Sequence, residues 1–292
     1  MSRGRAVREH LIEERYERFA GYRTRVLRVA GNGPPLLLLH GFSDSADTWR
    51  PVLRLLAGQA RAAVAVDLPS HGRADALDGA RPMLPQLVEF AEAAARWCDS
   101  SGTVAVGNSL GGLVSLLLAE RSDALAGVVG VCPAGLDYSP WMQARRAQLG
   151  SPVRRWAVAA AVSVPPVWLT AQLARATIGR ACADRGDVAA GFTSAYAGHL
   201  APRLARRRLL ALLYGLREEA VISPLHPEQI RCPTLLVWGE KDPLIPPGTA
   251  RLVSDVRPDI HHEVLPGIGH LPQVEAPARL VELLTDFTPQ HR

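Results

Sequence analysis

Lysine and cysteine are both scarce in this sequence. Lys241 is the one lysine, so 32 of the 33 basic residues are arginine, and they are spread along the chain without a nucleic-acid-binding motif. The formal charge of +5 therefore gives no reason to expect a nucleic-acid partner. The four cysteines lie far apart and form neither a C-x-x-C pair nor a metal-ligand spacing, which predicts buried free thiols.

Long apolar segments are missing as well. The N-terminus lacks the apolar region and the cleavage site of a secretory signal. The longest apolar run, residues 156–169, is shorter than the roughly 18 residues that span a bilayer, and it contains Pro165 and Pro166. These absences predict a cytoplasmic protein without a transmembrane segment.

Short apolar runs alternate with helical patterns along much of the chain. The runs typical of buried strands are 36–39, 62–68, 104–106, 125–131, 233–239 and about 262–265. Amphipathic patterns predict helices at 46–56, 84–97, 110–120 and about 274–287. Residues 22–30 predict an early antiparallel strand at the sheet edge. This order predicts an α/β fold whose mostly parallel sheet has helices on both faces.

The alternation stops for about 90 residues after the strand that ends at Val131. This stretch is rich in alanine, leucine and arginine, and it predicts an inserted helical cap at 135–225 between core segments at 1–134 and 226–292. The cap holds 12 arginines against five acidic residues, or +7, so the rest of the chain sums to −2. Solvated helix faces would explain this excess, and so would a site for anionic substrates or acidic surfaces.

The segment G-N-S-L-G at 107–111 fits the pattern G-x-S-x-G between an apolar strand and a helical pattern. A serine on such a sharp turn has a strained backbone, and side chains two residues before or after it would collide, which explains both glycines. Ser109 is therefore the candidate nucleophile. The amide of Leu110, at the start of the next helix, is a candidate donor to a developing oxyanion.

A His-Gly turn at 40–41, placed after an early strand, adds to this pattern, and the chain resembles the α/β-hydrolase family. The resemblance implies an eight-stranded sheet, a second oxyanion donor in the amide of Phe42, and a structural role for His40. The segment D-L-P-S-H-G at 67–72 is similar to the family's D-x-P-G-H-G, with Ser70 in place of a glycine.

A serine hydroxyl is a weak nucleophile and needs a base, normally a histidine held by a carboxylate. The segment 267–277 resembles the family's G-x-G-H-x-x-x-x-E-x-P, which makes His270 the candidate base. The segment 238–246 is similar to the family's W-G-x-x-D-x-x-x-P, which makes Asp242 the candidate acid. Glu240 is its nearest rival, and relatives that carry the acid after the strand before the cap would instead use Asp137.

The chain order serine, aspartate, histidine predicts a serine hydrolase that cleaves a carboxylic ester or lactone through an acyl-enzyme. No metal or organic cofactor is needed for that reaction. The implied partner is a small acyl substrate, mostly apolar, and anionic if the arginines of the cap take part. Aromatic residues of the cap are candidates either for its pocket or for the cap core: Trp141, Trp168 and Phe192.

Three other functions stay open. The segment G-N-S-L-G-G at 107–112 resembles the G-N-S-M-G-G of C–C bond hydrolases that act on vinylogous diketones, although the loop at 40–45 lacks the glycine-rich sequence of that subgroup. The other two are a ligand receptor that retains the triad and a biosynthetic acyltransferase or cyclase, because a fold does not fix a function.

Overall fold

The computed structural model describes residues 10–99, 102–136, 181–183 and 225–287. Eight strands form one sheet: β1 (Glu13–Phe19), β2 (Tyr22–Val29), β3 (Asn32–Leu39), β4 (Arg61–Val66), β5 (Thr103–Asn108), β6 (Leu125–Val131), β7 (Thr234–Gly239) and β8 (His261–Leu265). Their order is β1-β2-β4-β3-β5-β6-β7-β8. The β1–β2 and β2–β4 pairs are antiparallel, and the other pairs are parallel. The predicted α/β fold with a mostly parallel eight-stranded sheet is confirmed.

Six α-helices lie among the described residues: α1 (Arg50–Gly58), α2 (Met83–Cys98), α3 (Leu110–Arg121), α4 (Arg251–Ser254), α5 (Pro272–Glu275) and α6 (Pro277–Asp286). Three short 3-10 helices accompany them: Ala46–Trp49, Pro227–Gln229 and Pro247–Ala250. The helix α1 packs against α6, and α2 packs against α3. Within the described ranges, no helix is long and apolar enough to cross a bilayer.

The central strands are buried along nearly their whole length. Every residue of β5 and β7 is buried, and this is why these strands read as continuous apolar runs. The edge strand β8 is exposed at four of its five positions. His261 and His262 lie on it and are exposed.

Two sequence predictions need correction. The strand β2 is not at the sheet edge, because β1 pairs with it from Glu13↔Arg28 to Phe19↔Tyr22. β1 was missed because charged residues dominate it, so that its pairing with β2 and not its composition makes it a strand. The final helix is split into α5 and α6, since the ring of Pro277 lacks an amide hydrogen and starts a new helix.

A buried ion pair connects the strand β2 to the loops that follow β3 and β4. Arg25 on β2 contacts both carboxylate oxygens of Asp67 at 3.0 and 3.2 Å and reaches Asp47 at 2.7 Å. Asp67 also accepts the amides of Ala46 and Arg73 at 2.7 and 2.8 Å. Burial opposes the charge of Arg25, but the two carboxylates outweigh it and raise the pKa of the guanidinium. The pair therefore fixes the loops that follow β3 and β4.

We expect Asp67→Asn to lower the free energy of unfolding by about 3 kcal/mol or more, because it leaves the charge of Arg25 buried with a weaker partner. Urea denaturation measures this loss. Glu282→Gln is the matched control, since it removes an exposed partner of Arg279 and should change the free energy of unfolding little. Equal losses of the free energy of unfolding in the two variants would show that the buried ion pair stabilises the fold no more than an exposed one.

Candidate active site

The turn between β5 and α3 carries Ser109. Its φ of 54° and ψ of −113° are strained for an L-residue and persist only where the surroundings enforce them. The enforcement is steric. A Cβ atom at Gly107 would overlap the carbonyl of Gly111, and one at Gly111 would overlap the carbonyl of Leu39. The structure thus places the half-buried Ser109 on a sharp turn that starts a helix, and it gives both glycines the steric cause expected from the sequence.

His270 and Asp242 lie in contact on the loops that follow β8 and β7. The Nδ1 atom of His270 is 2.6 Å from Oδ2 of Asp242, and both residues are buried. The other oxygen of Asp242 accepts the amides of Leu244 and Ile245 at 2.8 and 3.0 Å. A carboxylate held in this way receives the Nδ1 hydrogen, so that Nε2 is the nitrogen left free to accept a proton.

The alternatives for the acid have different outcomes. The carboxylate of Glu240 accepts the amide of Gly267 at 2.8 Å, so it holds the loop after β8 and does not contact the base. Four residues named from the sequence lie outside the described residues, and their assignments stay predictions: Asp137, Trp141, Trp168 and Phe192.

Asn108, beside the candidate nucleophile, connects the turn to the loop of the candidate base. Its amide nitrogen donates to the carbonyl of His270 at 3.0 Å and to that of Val131 at 3.2 Å. Its amide oxygen accepts from Gln273 at 3.1 Å, and Gln273 also reaches Thr48 at 3.3 Å. Asn108 and Gln273 are fully buried, so these bonds lie away from solvent. Neither residue was predicted from the sequence, although an amide beside the serine in an otherwise apolar strand was a signal.

Glu275 holds the same loop from the other side. Its carboxylate accepts the amides of Gly269, Leu271 and Ala183 at 3.1, 3.2 and 2.8 Å. The amide of His270 donates to the carbonyl of Ala181 at 2.7 Å. Ala181 and Ala183 belong to the short part of the predicted cap that the structure describes. A Cβ atom at Gly269 would overlap that backbone, which explains a glycine beside the histidine. The loop of His270 is therefore bound to the core by Asn108 and to the chain around Ala183 by Glu275.

The loop that follows β3 and carries Phe42, one of the two predicted oxyanion donors, runs beside Ser109. A Cβ atom added to Gly41 would lie 3.3 Å from Cβ of Ser109, so the backbone before Phe42 approaches the turn closely. His40 holds this loop, because its Nε2 accepts the amide of Leu68 at 2.9 Å and its Nδ1 contacts the carbonyl of Gly41 at 2.7 Å. The amide of Leu110 opens α3 at the same turn. Roles for the amides of Phe42 and Leu110 remain predictions from this placement.

One cluster of potential metal ligands occurs in the part of the chain that the structure describes, and it consists of Cys132, Asp242 and His270. Tetrahedral ligands about 2.0 Å from zinc lie about 3.3 Å apart, and the 2.6 Å contact of Asp242 with His270 is too short for that arrangement. The cluster fits a hydrogen-bonded acid and base better than a metal centre.

Several known proteins are similar to this chain in sequence. Residues 36–283 match the model of the alpha/beta hydrolase family. An uncharacterized protein of Mycobacterium tuberculosis is 28% identical over 293 residues, covering 91% of this chain and 78% of that protein. A pimeloyl-[acyl-carrier protein] methyl ester esterase of Sodalis glossinidius is 30% identical over 256 residues, covering 87% of this chain and 93% of that protein.

A solved structure shares the fold. The 2-hydroxy-6-oxo-6-phenylhexa-2,4-dienoate hydrolase of Rhodococcus sp. strain RHA1 superposes with a TM-score of 0.76 at 20% sequence identity. The alignment covers 94% of this chain and 99% of that one. At this level of identity the likeness concerns the arrangement of strands and helices.

Two buried histidines make the stability of this region depend on pH. Burial, with a further contribution from the nearby positive charge of His71, lowers the pKa of His40 to about 3. Burial lowers the pKa of His71 to about 4. An unfolded histidine titrates near 6.5, so below that pH the unfolded chain binds protons that the native state does not. Stability is therefore present above about pH 6.5 and is lost as the pH falls toward 4 and 3.

We expect the free energy of unfolding to fall between pH 7.5 and pH 5 by on the order of 2 kcal/mol for each buried histidine. His40→Gln should reduce the slope of this dependence, because one of the two groups is gone. Urea denaturation at several pH values measures the slope. His261→Gln, which changes an exposed histidine, should leave it unchanged. A His40→Gln variant with the wild-type slope would contradict the interpretation.

Proposed function

The chain belongs to the alpha/beta hydrolase family, and on that premise we propose that it is a serine hydrolase that cleaves a carboxylic ester or lactone through an acyl-enzyme. One observation carries the proposal. The contact of His270 with Asp242 is held, through Asn108, against the turn that presents Ser109. A nucleophile, a base and an orienting acid in this relation are what acyl transfer requires.

In the proposed reaction Ser109 attacks the substrate carbonyl while Nε2 of His270 takes the hydroxyl proton. Asp242 stabilises the imidazolium by accepting from Nδ1, and it stays ionised. The amides of Phe42 and Leu110 donate to the oxyanion, and the start of α3 adds a favourable dipole. Collapse of the tetrahedral intermediate expels the alcohol, which takes the proton from His270. Water then attacks the acyl-enzyme with His270 as base, which releases the acid and restores Ser109.

The choice of an ester or lactone rests on the relatives and on the nucleophile. The Sodalis relative is named as a methyl ester esterase, and this supports ester chemistry in a chain of similar length. A C–C bond hydrolase is the second candidate, because the segment G-N-S-L-G-G at 107–112 resembles the sequence of that subgroup. Parallel turnover of p-nitrophenyl esters and of a vinylogous diketone separates the two. Burst kinetics without turnover would instead favour a receptor.

The sequence prediction of an anionic substrate rests on the arginines of 135–225 and stays a prediction, because nearly all of that range lies outside the described residues. Ester pairs that differ in one carboxylate, compared at low and high salt, address it. Attraction between exposed charges is screened over roughly 8 to 10 Å at physiological salt, so an advantage of the anionic ester should shrink as salt rises.

We expect Ser109→Ala to lower kcat/KM for p-nitrophenyl butyrate by at least about 10³-fold and to abolish fluorophosphonate labelling, because it removes the nucleophile. Ser115→Ala is the matched control, since Ser115 is a buried serine on α3, the helix that begins directly after Ser109. It should keep both activity and labelling, and both variants should melt near the wild-type temperature. Ester hydrolysis that persists in Ser109→Ala at the wild-type rate would end the proposal.

We expect Asp242→Asn to lower kcat by about 10²- to 10⁴-fold, because an amide stabilises neither the tautomer nor the charge of the histidine. Glu240→Gln tests the neighbouring carboxylate in the same loop and should change kcat little. Asp137→Asn should also change it little. Steady-state kinetics ranks the three variants, and a larger loss in Glu240→Gln or Asp137→Asn would move the acid to that position.

A further inference from the structure

Cys132 lies directly after β6 and has no part in the reaction described above. The residue is fully buried, and its φ of 44° is unusual for a non-glycine residue. Its amide donates to the carbonyl of Val237 at 2.8 Å, which joins the end of β6 to β7. The sulfur, a carboxylate oxygen of Asp242 and a ring nitrogen of His270 all lie within 4.8 Å of one another. A thiol therefore sits against the acid and base of the proposed triad.

We propose that Cys132 is a positioning residue for the orienting acid, whose carboxylate accepts a hydrogen bond from its thiol. This inference rests on the proposed function, in which Asp242 orients His270. It adds to the triad a donor that the reaction cycle itself does not need.

The carboxylate of Asp242 has room for this donor. A carboxylate offers about four acceptor sites. Two backbone amides occupy the Oδ1 side, from Leu244 and Ile245, and His270 occupies Oδ2. The buried thiol lies within 4.8 Å of a carboxylate oxygen of Asp242, and the remaining acceptor site is assigned to it. The acid then has all its partners away from water, as buried charges in native proteins generally do.

The thiol stays a neutral donor across the working range of pH. Burial first, and then the negative charge of Asp242, raise the pKa of Cys132 well above its usual value. A thiolate is the form that attacks electrophiles and binds metals, so a permanently protonated Cys132 does neither. The protonated thiol can still donate a hydrogen bond to the carboxylate of Asp242 beside it.

A donor on the carboxylate changes the base as well. It draws negative charge away from Oδ2, so the imidazolium of His270 is stabilised less than by an unshared carboxylate. Without the thiol, the protonated imidazolium would persist to higher pH. The acid limb of the kcat/KM profile, where activity rises as His270 loses its proton, should then move upward. A residue that only fills space would not move this limb.

The test compares wild type, Cys132→Ala, Cys132→Ser and Cys232→Ala with p-nitrophenyl butyrate between pH 4.5 and 8.5. Loss of a weak donor to a charged group should move the midpoint of the acid limb upward by about half a unit, roughly a threefold loss of kcat/KM on that limb. Serine keeps a hydroxyl donor and should hold the midpoint at or below the wild-type position. Cys232→Ala changes a free cysteine outside the cluster and should match wild type.

An unmoved midpoint in Cys132→Ala overturns the proposal, as does a uniform loss of kcat at every pH. If alanine prevents folding, the serine variant decides, and an upward shift in it overturns the proposal. Failure of the proposed function gives a different result, because wild-type hydrolysis would then persist in Ser109→Ala. Ser109-dependent hydrolysis with an unmoved limb rejects only the role of Cys132.

Discussion

The strained backbone of Ser109 is the constraint on which the other features of the site depend. A turn this tight exists because Gly107 and Gly111 have no side chains to separate the end of β5 from the start of α3. The amide of Ser109 donates to the carbonyl of Val131 at 2.9 Å, and this fixes the turn to the neighbouring strand β6. Strain of this kind costs of order 1–3 kcal/mol and is tolerated because the packed sheet around it supplies the compensation.

Buried polar side chains connect this turn to the rest of the site by hydrogen bonds. The amide of Asn108 joins the turn to the loop of His270, and Glu275 joins the same loop to the backbone of Ala183. Hydrogen bonds in a low-dielectric interior are strong and leave a costly unpaired group when one is lost. The network therefore fixes the geometry of the candidate base in a loop whose sequence contains two flexible glycines.

The apolar strands and the sharp turn at Ser109 could be predicted because their signals are local. A buried parallel strand reads as a short apolar run, and the turn at 107–111 requires glycines at fixed spacing. Non-local features were not readable in the same way. β1 is a strand because it pairs with β2 along its whole length, although its own residues are mostly charged. The break before α6 was signalled by Pro277, yet the apolar pattern on either side hid it.

Sequence alone determined the fold class and the position of the sharp turn, and it predicted Ser109, His270 and Asp242 as nucleophile, base and acid, because each prediction follows from a short pattern of residue types. Only the tertiary structure decided which carboxylate contacts His270, since Asp242 and Glu240 are two residues apart on one loop and their side chains bind different partners. It also brought Cys132 and Gln273 to the site from segments about 140 residues apart. Contacts at that separation depend on the packing of the whole sheet, which no local pattern encodes.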